Sequence, residues 1–162
     1  MRLFITLCLL LTVGFTAAQQ NNYELPKTIP DFQYLDIHQN KLYSNVDLPR
    51  KGNTLIVFYT TECIHCQIAV QHMSENFERF KNTHVVMITT YDKAAIEAFV
   101  NNFAPAMKDA KNVTWLQDTN DEFLFTFNPI SYPSFYLYDK SRNLLTYKKG
   151  SIEFRDVFDY VK

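Results

Sequence analysis

Residues 58–67 read FYTTECIHCQ, and the way this stretch folds decides how the rest of the chain is read. Cys63 and Cys66 stand three residues apart, with Glu62 before the first and His65 before the second. From Cys66 onward, Ala69, Val70, Met73, Phe77 and Phe80 fall at offsets of 3, 4, 7, 11 and 14, one face of a helix with 3.6 residues per turn. The spacing predicts that Cys66 opens the buried stripe of that helix while Cys63 sits one turn earlier, at its N-terminus. Immediately upstream, residues 55–60 read LIVFYT. An unbroken apolar run of that length is what a strand shows when both its faces are buried, as in the middle of a parallel sheet.

The order of strand then helix repeats downstream. HVVMITT at residues 84–90 is a second buried strand, and Asp92 can cap a helix whose Ile96, Phe99, Val100 and Phe103 share a face before Pro105 ends it. This alternation argues for an α/β domain with parallel pairing. Residues 112–116 form a further strand candidate and residues 119–127 a short helix. SFYLYD and LLTYKK then flank the polar turn DKSRN as an antiparallel hairpin, and Ser151 can cap a last helix with Phe154, Val157, Phe158 and Val161 facing inward. On the N-terminal side, DFQYLDI and KLYS flank HQN as an N-terminal β-hairpin, preceded by a polar, proline-containing extended lead-in at residues 19–30. Nothing divides residues 31–162, which read as one domain.

The opening MRLFITLCLLLTVGFTAAQQ has Arg2, an apolar run from Leu3 to about Phe15, and small residues at Ala17 and Ala18. This is the pattern of a secretory signal peptide over residues 1–18, with cleavage after Ala18; the alternative is an uncleaved anchor. Cys8 would leave with the signal, and Cys63 and Cys66 would be the only cysteines of the mature chain. The net charge is −1, and loss of Arg2 makes it one unit more negative. There is no basic excess for nucleic acid or an anionic membrane. Of the three glycines, Gly52 and Gly150 lie too far apart to build a phosphate-binding loop.

Two thiols straddling a helix start can form a disulfide within one turn, and the first stands where the helix dipole favours negative charge. Cys63 is therefore the candidate nucleophile, able to attack a partner's disulfide, and Cys66 the resolving thiol that attacks the mixed disulfide from behind. A structural staple competes weakly with this reading, because closing a four-residue loop is worth only about 2 kcal/mol. A zinc site competes weakly too, since four ligands are wanted and only the scattered His38, His65, His72 and His84 accompany the pair. His65 would stabilise a Cys63 thiolate and Glu62 would oppose it, so both are candidate modulators. No metal is expected, and no cofactor beyond the redox-active Cys63–Cys66 disulfide.

The buried strand, the CxxC on a helix and the later SYPSFYLYD at residues 131–139 together resemble the thioredoxin superfamily, over about residues 29–162. With the lead-in IPDFQYLDIHQNKLYSNVDL, the chain is most similar to the exported branch of TlpA-like and ResA-like thiol-disulfide oxidoreductases. The resemblance implies a thioredoxin-like fold, a central mixed β-sheet flanked by helices. It implies that Pro133 is cis and lies against the sulfurs, with Tyr132 offering backbone groups to an extended substrate. It further implies a periplasmic protein, secreted across the inner membrane, that exchanges disulfides with cysteine-containing exported proteins. A reducing role is favoured, fed by an upstream electron donor such as a membrane reductase.

Three positions depart from the family pattern. Val57 replaces the buried Asp six residues before the first cysteine, Glu62 replaces the usual tryptophan, and Tyr132 is bulkier than the usual residue before the proline. The histidine of CIHC, shared with DsbA-like oxidants, keeps an oxidase or isomerase role open. A peroxiredoxin-like thiol peroxidase is an alternative, since Thr60 gives a TxxC, although Ile56 stands where that motif carries proline. A non-catalytic thioredoxin-fold binding module with an inert disulfide is the third reading.

Overall fold

The computed structural model describes residues 24–161. The expected signal peptide and the first part of the lead-in lie outside them, as does the side chain of Phe154. The strands are β1 (Gln33–Asp36), β2 (Lys41–Ser44), β3 (Asn53–Phe58), β4 (Thr83–Thr89), β5 (Val113–Gln117), β6 (Ser134–Tyr138) and β7 (Leu144–Lys149). They form one seven-stranded sheet in the order β2-β1-β5-β4-β3-β6-β7. Pairing is parallel between β3, β4 and β5 and antiparallel elsewhere, which makes the sheet mixed.

Side chains alternate between two buried layers, as a period of two requires. Leu55, Val57, Tyr59, Val85, Met87, Trp115, Phe135 and Leu137 meet the face covered by α1 (Ile64–Glu75), α2 (Lys93–Phe103) and the C-terminal Val157 and Val161. Ile56, Phe58, Val86, Ile88, Leu116, Tyr136 and Tyr138 face the other way. They are covered by Ile29 and Phe32 of the lead-in, by Leu48, and by Phe123 and Phe127 around the one-turn α3 (Phe123–Thr126). Among the described residues no helix is long and apolar enough to cross a membrane.

Three helices differ from their sequence reading. The apolar stripe runs to Phe80, but α1 stops at Glu75 because the Asn76 side chain donates to the His72 carbonyl, and Phe77–Phe80 follow as a 3-10 turn. The helix expected over residues 119–127 shrinks to α3. The buried Asp118 carboxylate accepts from the backbone of Asn120, Glu122 and Phe123, and Asp121 is left-handed at φ 57°. The last helix begins at Gly150 rather than after Ser151, as α4 (Gly150–Glu153), and runs into a 3-10 turn at Phe154–Asp159. Asp92 does cap α2, accepting from the Ala95 backbone at 2.9 Å.

Gly52 precedes β3 at φ +80°, and a Cβ there would lie 2.4 Å from the Asn82 carbonyl oxygen. Gly52→Ala is expected to lower the unfolding free energy by about 2 kcal/mol or more in chemical denaturation. His84 on β4 is held neutral: burial pushes its imidazole down to about 4, and its Nε2 lies 3.3 Å from the Tyr43 hydroxyl and 3.2 Å from the Thr114 hydroxyl. An imidazole neutral in the fold but protonated when unfolded contributes stability that is present above pH 6.5 and lost as pH falls towards 4. Urea titrations at pH 7, 5 and 4 should show a loss of up to about 3 kcal/mol from this residue. His84→Gln should flatten that slope, and an unchanged slope would assign it to other groups.

Candidate active site

The site is built where β3 ends. Beyond Phe58 the chain turns through Tyr59–Glu62, held by the Gln67 amide donating to the Thr61 carbonyl at 3.0 Å, and enters α1 with Cys63 as its N-cap. The Cys63 side chain makes no capping bond. Its carbonyl accepts from the Gln67 N–H at 3.0 Å, so the sulfur stands beside the turn of α1 whose first N–H groups have no intrahelical partner. Cys63 is half-buried, whereas Cys66, one turn on, is 0% exposed and packed among Ala69, Val70 and the sheet. Both are free thiols.

The environments of the two sulfurs differ in kind. Burial pushes the Cys66 thiol far above the ordinary range. The Thr60 backbone N–H, which donates to its sulfur, partly offsets this. The hydrogen bond from the Cys66 thiol to Cys63, and the charge on Cys63, raise it further. Cys66 therefore keeps its proton while a charge sits on Cys63.

The second wall of the site comes from β6. Antiparallel pairing sets Phe58 opposite Ser134, so the residues just before Ser134 return beside the loop that carries the cysteines. The Tyr132–Pro133 peptide bond is cis, Pro133 is buried, and its carbonyl accepts from the Gly150 N–H at 2.8 Å. Tyr132 is 39% exposed with its ring 5.0 Å from that of Phe58. Burial, then the charges of Asp121, Cys66 and Tyr91, push its phenol up.

Of the two modulators, Glu62 is exposed and makes no hydrogen bond or ion pair among the described residues. His65 is exposed too, and its Nδ1 lies 3.3 Å from the Ser151 hydroxyl. That contact fastens α1 to α4 and closes one side of a cleft of about 410 Å³ lined by His65, Ser131, Tyr132, Lys149, Gly150 and Glu153. Ser151, read as a helix cap from the sequence, instead serves this contact. The sequence offers Thr60 only as part of a TxxC and does not point to Tyr59 or Gly150 as neighbours of the site. The alternation of residues 55, 57 and 59 was the one signal that could have placed Tyr59 on the Cys66 side. Among the described residues no three His, Cys, Asp or Glu side chains are grouped so as to hold a metal ion.

The sheet order, the two-cysteine helix after the central strand and the cis proline define a thioredoxin-like α/β protein. The AhpC/TSA family model matches residues 25–146, and the chain belongs to the AhpC/TSA family. No curated protein matches it in sequence. Among solved structures it is similar to StoA from Bacillus subtilis, with 14% identity over 85% of this chain and 100% of that one and a TM-score of 0.62. It is also similar to the peroxidoxin BcpB from Mycobacterium tuberculosis, with 16% identity, 85% and 93% coverage and a TM-score of 0.67. A secreted disulfide oxidoreductase of the same organism, described as homologous to Escherichia coli DsbE, gives 18% identity, 80% and 93% coverage and a TM-score of 0.62. At such identities the likeness is one of fold. These comparisons support the superfamily and do not select the TlpA/ResA branch.

The burial difference makes a direct prediction. Iodoacetamide at pH 7 should modify Cys63 in the folded protein at least about a hundredfold faster than Cys66, which becomes reactive only in denaturant. Equal labelling, read by peptide mass mapping, would contradict the arrangement.

Proposed function

We propose that the protein is a secreted thiol-disulfide oxidoreductase of the exported TlpA/ResA-like kind, acting chiefly as a reductant on cysteine-containing exported proteins. The observation that carries this reading is the pairing of a half-buried sulfur at the start of α1 with a fully buried one a turn behind it. The Cys63 thiolate attacks one sulfur of the partner's disulfide, forming a mixed disulfide and releasing the partner's other thiolate. Cys66 then gives up its proton and attacks Cys63, the Cys63–partner bond breaks, and the partner's second thiolate departs and is protonated. Two electrons pass to the partner, and the protein is left as the Cys63–Cys66 disulfide. An upstream donor, a membrane reductase in this reading, restores the thiols.

In this reading a partner segment lies in the cleft lined by His65, Tyr132 and Gly150, with Tyr132 and Pro133 offering it backbone groups. Export is supported by the signal pattern of residues 1–18 and by the secreted oxidoreductase among the similar structures. A periplasmic location follows from that reading. A thiol peroxidase is the second reading, favoured by the AhpC/TSA match and the likeness to a peroxidoxin. Against it, Thr60 addresses Cys66 through its backbone, and Ile56 stands where the peroxidase motif carries proline.

Reduced protein mixed with a disulfide-bonded model peptide should reduce it. Cys63→Ser should slow this by at least about a hundredfold, and Cys66→Ser should react once and accumulate the Cys63 mixed disulfide. If the peptide stays oxidised while hydrogen peroxide is consumed, the peroxidase reading replaces this one.

A further inference from the structure

The chain carries 16 Lys and Arg against 17 Asp and Glu, and so even a balance gives no hint of where the charges stand. The sheet sorts them. β3, β4 and β5 are parallel, with Asn53 level with Thr83 and Val85 level with Val113, so the segments leading into these strands meet at one end of the sheet. Each of those segments carries an exposed lysine, and Lys51, Lys81 and Lys111 line one open cleft of about 460 Å³. β6 runs the other way and sets Tyr138 opposite Thr54, which brings the turn before β7 to the same end. There Lys140 and Arg142 line a second open cleft, of about 430 Å³, together with Arg50. Arg50 of one cleft and Lys51 of the other are consecutive residues, so the two clefts are neighbours.

No carboxylate lines either cleft. The ion pairs among the described residues are Lys93–Glu97 and Lys148–Asp156, and none of these six cations takes part in them. Acids close by in sequence do not neutralise the clefts. Asp47 accepts from the Ser44 N–H and hydroxyl, Asp139 accepts from the N–H groups of Ser141 and Asn143, and Glu78 and Asp109 line neither cleft. Among the cations of the second cleft stands Val46, an aliphatic side chain on a residue 78% exposed.

We propose that this end of the sheet is a docking face for an anionic membrane surface, with lipid phosphates paired to the six cations and Val46 set into the headgroup layer. The cations are spread beneath four adjacent strands, which at about 4.8 Å per strand is a front roughly 15 Å wide. A front of that width meets several headgroups at once and does not enclose a single phosphate. An exposed aliphatic group among cations suits the boundary between headgroups and acyl chains, where each has a partner. Attraction to an anionic leaflet grows with every Lys or Arg held near it, so a local cluster binds although the chain as a whole is close to neutral. The six residues of β3 put roughly 20 Å between this face and the start of α1, so a docked protein holds Cys63 away from the lipid and open to partners. The inference is independent of the redox reading.

Vesicle sedimentation of the protein recovered after export tests it. Wild type should bind phosphatidylcholine vesicles that contain about 40% phosphatidylglycerol and leave pure phosphatidylcholine vesicles bare. The bound fraction should fall at least about tenfold as salt rises from about 0.05 M to about 0.5 M. Lys51→Glu, Lys81→Glu and Lys111→Glu together should weaken binding by at least about a hundredfold. The same change of net charge made elsewhere, by Lys27→Glu, Lys93→Glu and Arg155→Glu together, should weaken it by less than about tenfold. Equal losses in the two triple variants would overturn the proposal, as would salt-insensitive binding or equal binding to neutral vesicles, both of which are read on wild type without any substitution. Capture by a soluble polyanion such as polyphosphate, with no binding to vesicles, would overturn it too and give the face to another class of anion.

Discussion

β3 is hydrogen-bonded along both edges and buried on both faces, and the site depends on that confinement. Leu55, Ile56 and Val57 are 0% exposed, with β4 parallel on one side and β6 antiparallel on the other. A strand held in four directions cannot slip by one residue without turning its whole apolar set over. Its end is therefore a defined point in space. From that point α1 sets out with the cysteines, and the antiparallel partner delivers Pro133 from seventy residues further along the chain to the same place.

Fixing that junction also separates the two sulfurs. The helix stripe through Ala69, Val70 and Met73 presses α1 onto the sheet, and Cys66 belongs to the stripe while Cys63 precedes it. One turn of helix thus divides a thiol within reach of solvent from one whose ionisation is opposed by burial. The asymmetry is a consequence of packing and needs no charged residue to create it. Glu62 and His65, the charged and titratable neighbours in the sequence, point elsewhere: one to solvent, the other to Ser151.

Elements with strong periodicity or strong caps were legible from the chain itself. β3 and β4 announced themselves as unbroken apolar runs, α2 through Asp92 and its apolar face, and the β6–β7 pair through the polar DKSRN turn. Elements whose limits are set by competing side-chain bonds were not. Asn76 turns back on His72 and cuts α1 short of its own stripe, and Asp118 gathers the backbone of Asn120, Glu122 and Phe123 that a longer helix would have used. Asparagine and aspartate offer such alternatives to helix wherever they occur, and sequence does not say which will be taken.

By itself the sequence determined the strand and helix order, the alternation that loads both faces of the sheet, and the three-residue spacing that puts one thiol at a helix start and the other on its buried stripe. These are local properties, carried by the periodicity of neighbouring residues. Only the tertiary structure decided what gathers around the start of α1: the cis Tyr132–Pro133 bond returned to the end of β3 by β6, Ser151 against His65, and Tyr59 on the sheet face that carries Cys66. Those neighbours come from strand register and from chain closure over long separations, and no run of adjacent residues records either.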